Sequence, residues 1–172
     1  MEIFTIVEAN LQDFDGVKNL MLKALQTDPL AFSSDYSDYA NNSNIWWQNY
    51  LYNYLMQNNA KLFVAKVNSE IKAMVGILLD PKNRRKHVGS VVWFYVEPES
   101  RAIGIGNKLF NTLIEYARSL GTIKKLTLLV NAPQQKAQEI YNKFGFKVVG
   151  TLKGELLVNN QFIDEYIMEM FL

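Results

Sequence analysis

Apolar and polar residues alternate over Ile3–Glu8, the period of a half-buried strand. From about Asp13 the period lengthens. Phe14, Val17, Leu20, Met21, Ala24 and Leu25 share one helical stripe that ends before Pro29. Ser33–Asn44 is polar without a period and is predicted as a loop. A second helix over Ile45–Gln57 then places Trp47, Tyr50, Leu51, Tyr54 and Leu55 on one face. Three strands are predicted next, Lys61–Val67, Glu70–Asp80 and Gly89–Val96, with a tight turn at Asn68-Ser69 and a longer one over Pro81–His87. After Gly104-Ile105-Gly106, Leu109, Phe110, Leu113, Ile114, Ala117 and Leu120 form a clear helical stripe, and Gly121 stops it. A short buried strand at Lys125–Val130 and a helix over Gln134–Phe144 follow, the helix turning Ala137, Ile140, Tyr141 and Phe144 inward. Strands Phe146–Lys153 and Gln161–Phe171, joined around Asn159-Asn160, finish the chain. No linker or internal repeat interrupts this order, so residues 1–172 read as one domain around a mixed α/β sheet.

Composition narrows the chemistry. The 172 residues include no cysteine and one histidine, His87. Thiol nucleophiles, disulfides, thiolate metal sites and two-histidine metal centres are therefore excluded, and no metal is expected. Lys plus Arg is 18 against 17 for Asp plus Glu, so the basic excess of a nucleic-acid or membrane-surface binder is missing. The one basic run, Lys82–His87, reads as a solvated loop; its cations disfavour protonation of His87, which is given no catalytic role. The first ten residues, MEIFTIVEAN, do not form a signal peptide, and the runs Ala73–Leu79 and Val91–Val96 are too short to span a bilayer. A cytoplasmic setting is expected.

The most specific segment runs from Val96 to Asn107, after a strand and into a helix. Gly104 and Gly106 let several backbone N–H groups converge on one anion at the helix N-terminus, and Arg101 adds a cation. A P-loop would need Gly-x-x-x-x-Gly-Lys followed by Ser or Thr, and a dinucleotide fingerprint a third small residue; neither stands here. A lone Gly-x-Gly also suits a plain strand-to-helix turn, but the arginine and the strand–helix context favour pyrophosphate.

Val96-x-Pro98-x-x-Arg101-x-x-Gly104-x-Gly106 resembles the acyl-CoA pyrophosphate loop of the GNAT superfamily of CoA-dependent N-acetyltransferases. Leu126–Val130 with Ala137-x-x-Ile140-Tyr141-x-Lys143-Phe144-Gly145-Phe146 resembles its second motif, and the order of elements agrees from end to end. Two positions depart from the pattern: Ala102-Ile103 omits a basic residue common after the arginine, and Gln134 stands where asparagine is frequent, seven before the tyrosine.

The resemblance implies an α/β (α+β) GNAT fold, a mostly antiparallel sheet of about seven strands with about four helices and with strands 4 and 5 splayed. It implies acetyl-CoA as co-substrate, held by Phe94, Tyr95, Val96, Arg101, Ala102, Ile103, Gly104, Ile105, Gly106, Asn107, Lys108 and Tyr141, with Asn131 or Gln134 contributing. An N–H near Val96 would stabilise the oxyanion. Tyr141 would protonate the leaving thiolate, the alternative being a core aromatic. Glu97 is either the carboxylate nearest the thioester, and so a base, or a solvent-facing turn residue. Ordered water is the other route for the proton. The expected acceptor is a small amine or amino acid; protein N-termini or lysines, and a CoA-binding role without catalysis, are the alternatives. Phe32, Tyr36 and Tyr39 are candidate acceptor contacts in an aromatic segment whose Trp46, Trp47, Tyr50 and Tyr54 read mostly as core, and a homodimer is consistent with the resemblance.

Overall fold

The computed structural model describes residues 4–56 and 59–172. Ile3 and Gln57, the outer ends of two predicted elements, and the side chain of Leu55 lie outside the described residues. Seven strands form one sheet: β1 (Phe4–Glu8), β2 (Ala60–Val67), β3 (Glu70–Leu79), β4 (Val88–Val96), β5 (Lys125–Asn131), β6 (Lys147–Val158) and β7 (Gln161–Phe171). Their spatial order is β1-β2-β3-β4-β5-β7-β6, antiparallel throughout except β4 with β5.

The helices are α1 (Phe14–Thr27), α2 (Ser37–Ala40), α3 (Asn44–Met56), α4 (Ile105–Ser119) and α5 (Gln135–Lys143). The expectation of about four becomes five because α2 is a single turn inside the predicted loop. Its cause is local: Asp35 Oδ1 accepts from the Ser37 amide and hydroxyl, and Asp38 Oδ2 accepts from the Asp35 amide. A 3₁₀ turn, Leu11–Asp13, leads into α1 on a similar device, Asn10 and Asp13 bonding to each other's end of that turn. Its first turn lies so close to β3 that a Cβ on Gly16 would sit 2.9 Å from Ile71 Cδ1.

Both sheet faces are covered. Val17, Leu20 and Met21 of α1 and Trp47 and Leu51 of α3 pack with Leu62, Val64, Met74 and Tyr95 on one face. Leu109, Phe110, Leu113 and Ala117 of α4, with Tyr141 of α5, pack on the other face against Phe63, Ala65, Val75 and Ile77. Adjacent residues of β2 thus enter opposite cores, which is why its sequence is nearly continuous in apolar residues. The β2–β3 and β6–β7 turns place Asn68, Ser69, Asn159 and Asn160 at positive φ, as two-residue hairpins require. β6 continues five residues beyond the predicted Lys153. A register shift between Leu152 and Leu156, with Gly154 at φ +59°, absorbs the extra residues and resumes pairing with β7.

Candidate active site

Two irregularities build the site. β4 and β5 pair only over Val88–Ser90 with Lys125–Thr127, and beyond Ser90 their ladder stops. β4 also bulges: its register against β3 shifts between Met74 and Gly76, and Trp93 adopts φ +55°. The bulge reverses the side-chain alternation. Val91 lies in the α4 core, whereas Trp93 and Tyr95 turn to the α1/α3 face and Phe94 and Val96 pack on the α4 face. The Glu97 N–H bonds to the Lys72 carbonyl in β3. By strand alternation Val96 therefore directs its N–H and C=O to the open side next to β5.

At the end of β4 a single 3₁₀ turn, Pro98–Ser100, leads into the loop before α4. Ala102 and Gly104 take positive φ (+66° and +88°), and Gly104 caps α4 in the left-handed conformation with no side-chain hydrogen bond. Among the described residues nothing accepts from the N–H groups of Ala102 through Asn107; the first amide of α4 that does bond is Lys108, to Gly104. Arg101–Gly104, Asn107 and Lys108 are exposed, Gly106 is half-buried, and Ile105 is buried under the helix. Lys108 turns its ammonium over the Phe4 ring. The result is an outward-facing row of amides at the positive end of a fifteen-residue helix.

Arg101 belongs to this loop but is directed elsewhere. Its Nε donates to the Val96 carbonyl at 2.9 Å, its Nη2 pairs with Asp28 at the end of α1, and its guanidinium lies 5.8 Å over the Tyr95 ring. Asp28, which follows the α1 stripe and precedes a proline, carried no signal of this role. Tyr95 in turn shares a hydrogen bond with Thr27.

Tyr141 is 9% exposed, among the rings of Phe94, Phe110 and Phe146 on the α4 side of the divergence. Burial pushes its phenol well above the ordinary tyrosine range. Trp47 Nε1 is the only sealed, unpaired side-chain polar atom among the described residues, so the unpartnered Tyr141 hydroxyl is not sealed off.

Glu97 is not the solvent-facing turn residue of one reading. It is 7% exposed, with Lys23 3.0 Å from Oε1 and Lys72 3.2 Å from Oε2. Its hydrogen bond holds Lys23 above the usual lysine range, against the opposing effect of partial burial. A polar cleft of about 420 Å³ lies beside this cluster, between the β2–β3 turn and the Glu97–Ser100 turn. None of its lining residues is a predicted cofactor contact, and neither Tyr141 nor any residue of β5 lines it.

Asn131 ends β5 and is 2% exposed; its Nδ2 donates to the Leu30 carbonyl at 2.6 Å. Its amide is thus engaged within the protein, while Gln134 is half-buried at the start of α5 and makes no side-chain capping bond. On the α1/α3 face, Phe32 packs on Trp93 and Tyr95, and Tyr39 meets Trp46, Trp47, Tyr50 and Trp93. Tyr36 is half-buried and joins none of these ring contacts among the described residues. Trp46 is not core: it is 37% exposed and stacks on Tyr50. Among the described residues no group of three or more His, Asp or Glu is placed to hold a metal ion, and no helix is long and apolar enough to cross a membrane.

A model of the acetyltransferase (GNAT) family matches residues 21–146. The L-amino acid N-acetyltransferase AaaT of Escherichia coli is 26% identical over 108 residues, covering 63% of this chain and 66% of that one. A spermidine N(1)-acetyltransferase of the same organism is 30% identical over 76 residues, covering 44% and 41%. The chain thus spans 41–66% of the length of these curated relatives. Among solved structures, an acetyltransferase of the GNAT family from Streptococcus pneumoniae superposes with a TM-score of 0.86 at 25% identity, covering 99% of this chain and all of that one. A Salmonella typhimurium protein solved with acetyl-CoA as its cofactor shares the fold, with a TM-score of 0.75 at 17% identity and coverage of 98% and 94%.

Proposed function

The chain belongs to the acetyltransferase (GNAT) family, and on that premise we propose that it transfers the acetyl group of acetyl-CoA directly to a primary amine within a ternary complex. The observation that carries this is the row of unaccepted N–H groups from Ala102 to Asn107, opening α4 beside the point where β4 leaves β5. Those amides and the helix dipole suit a pyrophosphate. The open edge of β4 at Phe94 suits the amide-bearing arm of the cofactor, which pairs there as a short added strand and leaves the Val96 N–H for the thioester carbonyl. Arg101 serves this site by holding the loop to Val96 and Asp28, and reaches a phosphate only by giving up those partners. This reading also assigns Asn107, Lys108 and Gln134 to the cofactor, Lys108 after leaving the Phe4 ring.

In this reading the amine nitrogen attacks as a neutral base. It bonds to the thioester carbon as the carbonyl electrons move to an oxyanion, which the Val96 N–H stabilises. The oxyanion electrons re-form the carbonyl as the C–S bond breaks, the bonding pair leaves with sulfur, and Tyr141 supplies the proton that makes the free thiol, regaining one from solvent. Its raised pKa keeps it protonated throughout the neutral range. The proton lost by the amine passes to water, because lysines hold both carboxylate oxygens of Glu97. A cytoplasmic setting and a small-amine acceptor complete the proposal. The test is thiol release from acetyl-CoA with a panel of amines: release that depends on the amine supports it, and none with any amine overturns it.

A further inference from the structure

Three acids are buried among the described residues: Asp13, Glu97 and Glu165. Asp13 pairs with Lys66 and Glu97 with two lysines. Glu165, 3% exposed, has no cation within salt-bridge distance among the described residues; its one side-chain hydrogen bond comes from the Ser33 hydroxyl at 3.0 Å. Glutamate is rarely buried without a cation, because its desolvation then goes uncompensated. A buried carboxylate left this way is suited to a positive charge arriving from outside.

Its place says where that charge would come from. Glu165 sits on β7 directly opposite Asn131 of β5, on the α1/α3 face. The segment Asp28–Ser33 crosses the mouth of the β4/β5 divergence on that face. It is held on the β4 side by Phe32 against Trp93 and Tyr95, and on the other by Asn131 to Leu30 and Glu165 to Ser33. Glu165 therefore lies one strand spacing, about 4.8 Å, beyond β5 from the gap where the thioester would lie. The rings of Phe32 and Trp93 beside Ser33 suit a methylene chain, and a ring face attracts a cation. A carboxylate-bearing acceptor finds less: Arg101 and Lys18, the cations over these aromatics, are engaged by Asp28 and Asn44.

Resting on the acetyl-transfer reading above, we infer that Glu165 selects the acceptor by binding the second, non-reacting ammonium of a short terminal diamine. The distal ammonium displaces the Ser33 hydroxyl and stays charged, while the proximal nitrogen, a few methylenes away, is neutral when it attacks. Glu165 touches substrate but does not take part in bond making.

The experiment compares kcat/KM for 1,4-diaminobutane, butylamine and L-alanine in the wild type, Glu165→Gln, Glu165→Asp and Ser33→Ala. The wild type is expected to favour the diamine over butylamine at least tenfold and over alanine by more. Glu165→Gln, which keeps shape and a hydrogen bond to Ser33, should lose that ratio through KM for the diamine, with KM for acetyl-CoA unmoved. Glu165→Asp should keep part of the ratio, and Ser33→Ala all of it. A ratio near one in the wild type, a ratio unchanged in Glu165→Gln, or equal loss in Ser33→Ala overturns the inference while turnover upholds acetyl transfer. No turnover with any amine overturns both.

Discussion

Replacing Gly104 separates the strain of the loop from its role in holding an anion. At φ +88° and with nothing within 4 Å of an added Cβ, the position penalises a side chain through the backbone alone. The left-handed conformation costs alanine about 1–2 kcal/mol. The reduced entropy of the unfolded chain returns about 0.4–1 kcal/mol. Gly104→Ala should therefore lose about 1 kcal/mol, or about 2–4 °C in Tm for a chain of this size. Gly104→Asp should lose less, since a carboxylate satisfies the free amides and favours the helix N-terminus. With CoA the order diverges. At a hundredfold excess over Kd the wild type gains about 2.7 kcal/mol, or about 5–11 °C. The alanine variant should gain less, and the aspartate variant, whose carboxylate occupies the anion's place, essentially nothing. Gly121→Ala is the control: it has the same kind of strain (φ +65°, nothing within 4 Å) at the other end of α4, and should keep the full CoA shift. Thermal unfolding with and without CoA reads all four proteins. A full CoA shift in Gly104→Asp would refute the assignment of the loop.

Tyr141→Phe should lower kcat about a hundredfold or more with near-normal CoA affinity; an unchanged rate would make Tyr141 a packing residue only. Burial raises the Tyr141 pKa in the folded state, so above about pH 10 the unfolded chain loses this proton first and stability falls as pH rises. The phenylalanine variant should fall less steeply there in urea unfolding. Glu97→Gln should leave kcat within tenfold while destabilising by less than the about 3–5 kcal/mol of a fully buried pair, since Lys23 and Lys72 reach water; a hundredfold loss of rate in a stable variant would instead make it the base. Asn131→Ala, which leaves the Leu30 carbonyl without its donor, should cost about 1–3 kcal/mol by urea unfolding.

What the sequence makes legible is what short-range periodicity encodes. The α4 stripe is buried as its spacing requires, and Asn68-Ser69 and Asn159-Asn160 form the hairpins their residue types favour. Gly104 is at the positive φ that a glycine before a helix suggests. The α2 turn escapes a search for period although its signal is local, because Asp35 and Asp38 act as caps within a segment that lacks hydrophobic period. Other features were hidden for a different reason. Arg101 meets Asp28 across 73 residues, Asn131 meets Leu30 across 101, and Ser33 meets Glu165 across 132. No window along the chain contains both partners. The bulge at Trp93 is hidden too, since a tryptophan at positive φ is held by its surroundings and not by its own preference. These long-range contacts decide which predicted site residues face the gap and which hold the framework around it.

In the proposed reading the amides opening α4, with the free edge of β4, hold acetyl-CoA. Amide proton–nitrogen correlation spectra of the labelled protein, recorded through a titration with CoA, test it residue by residue. The largest shifts should fall on Ala102 to Asn107 and on Phe94 and Val96, with Gly121 and the β6–β7 turn unmoved. Saturating CoA that leaves Ala102–Asn107 in place, or moves another surface instead, would contradict it.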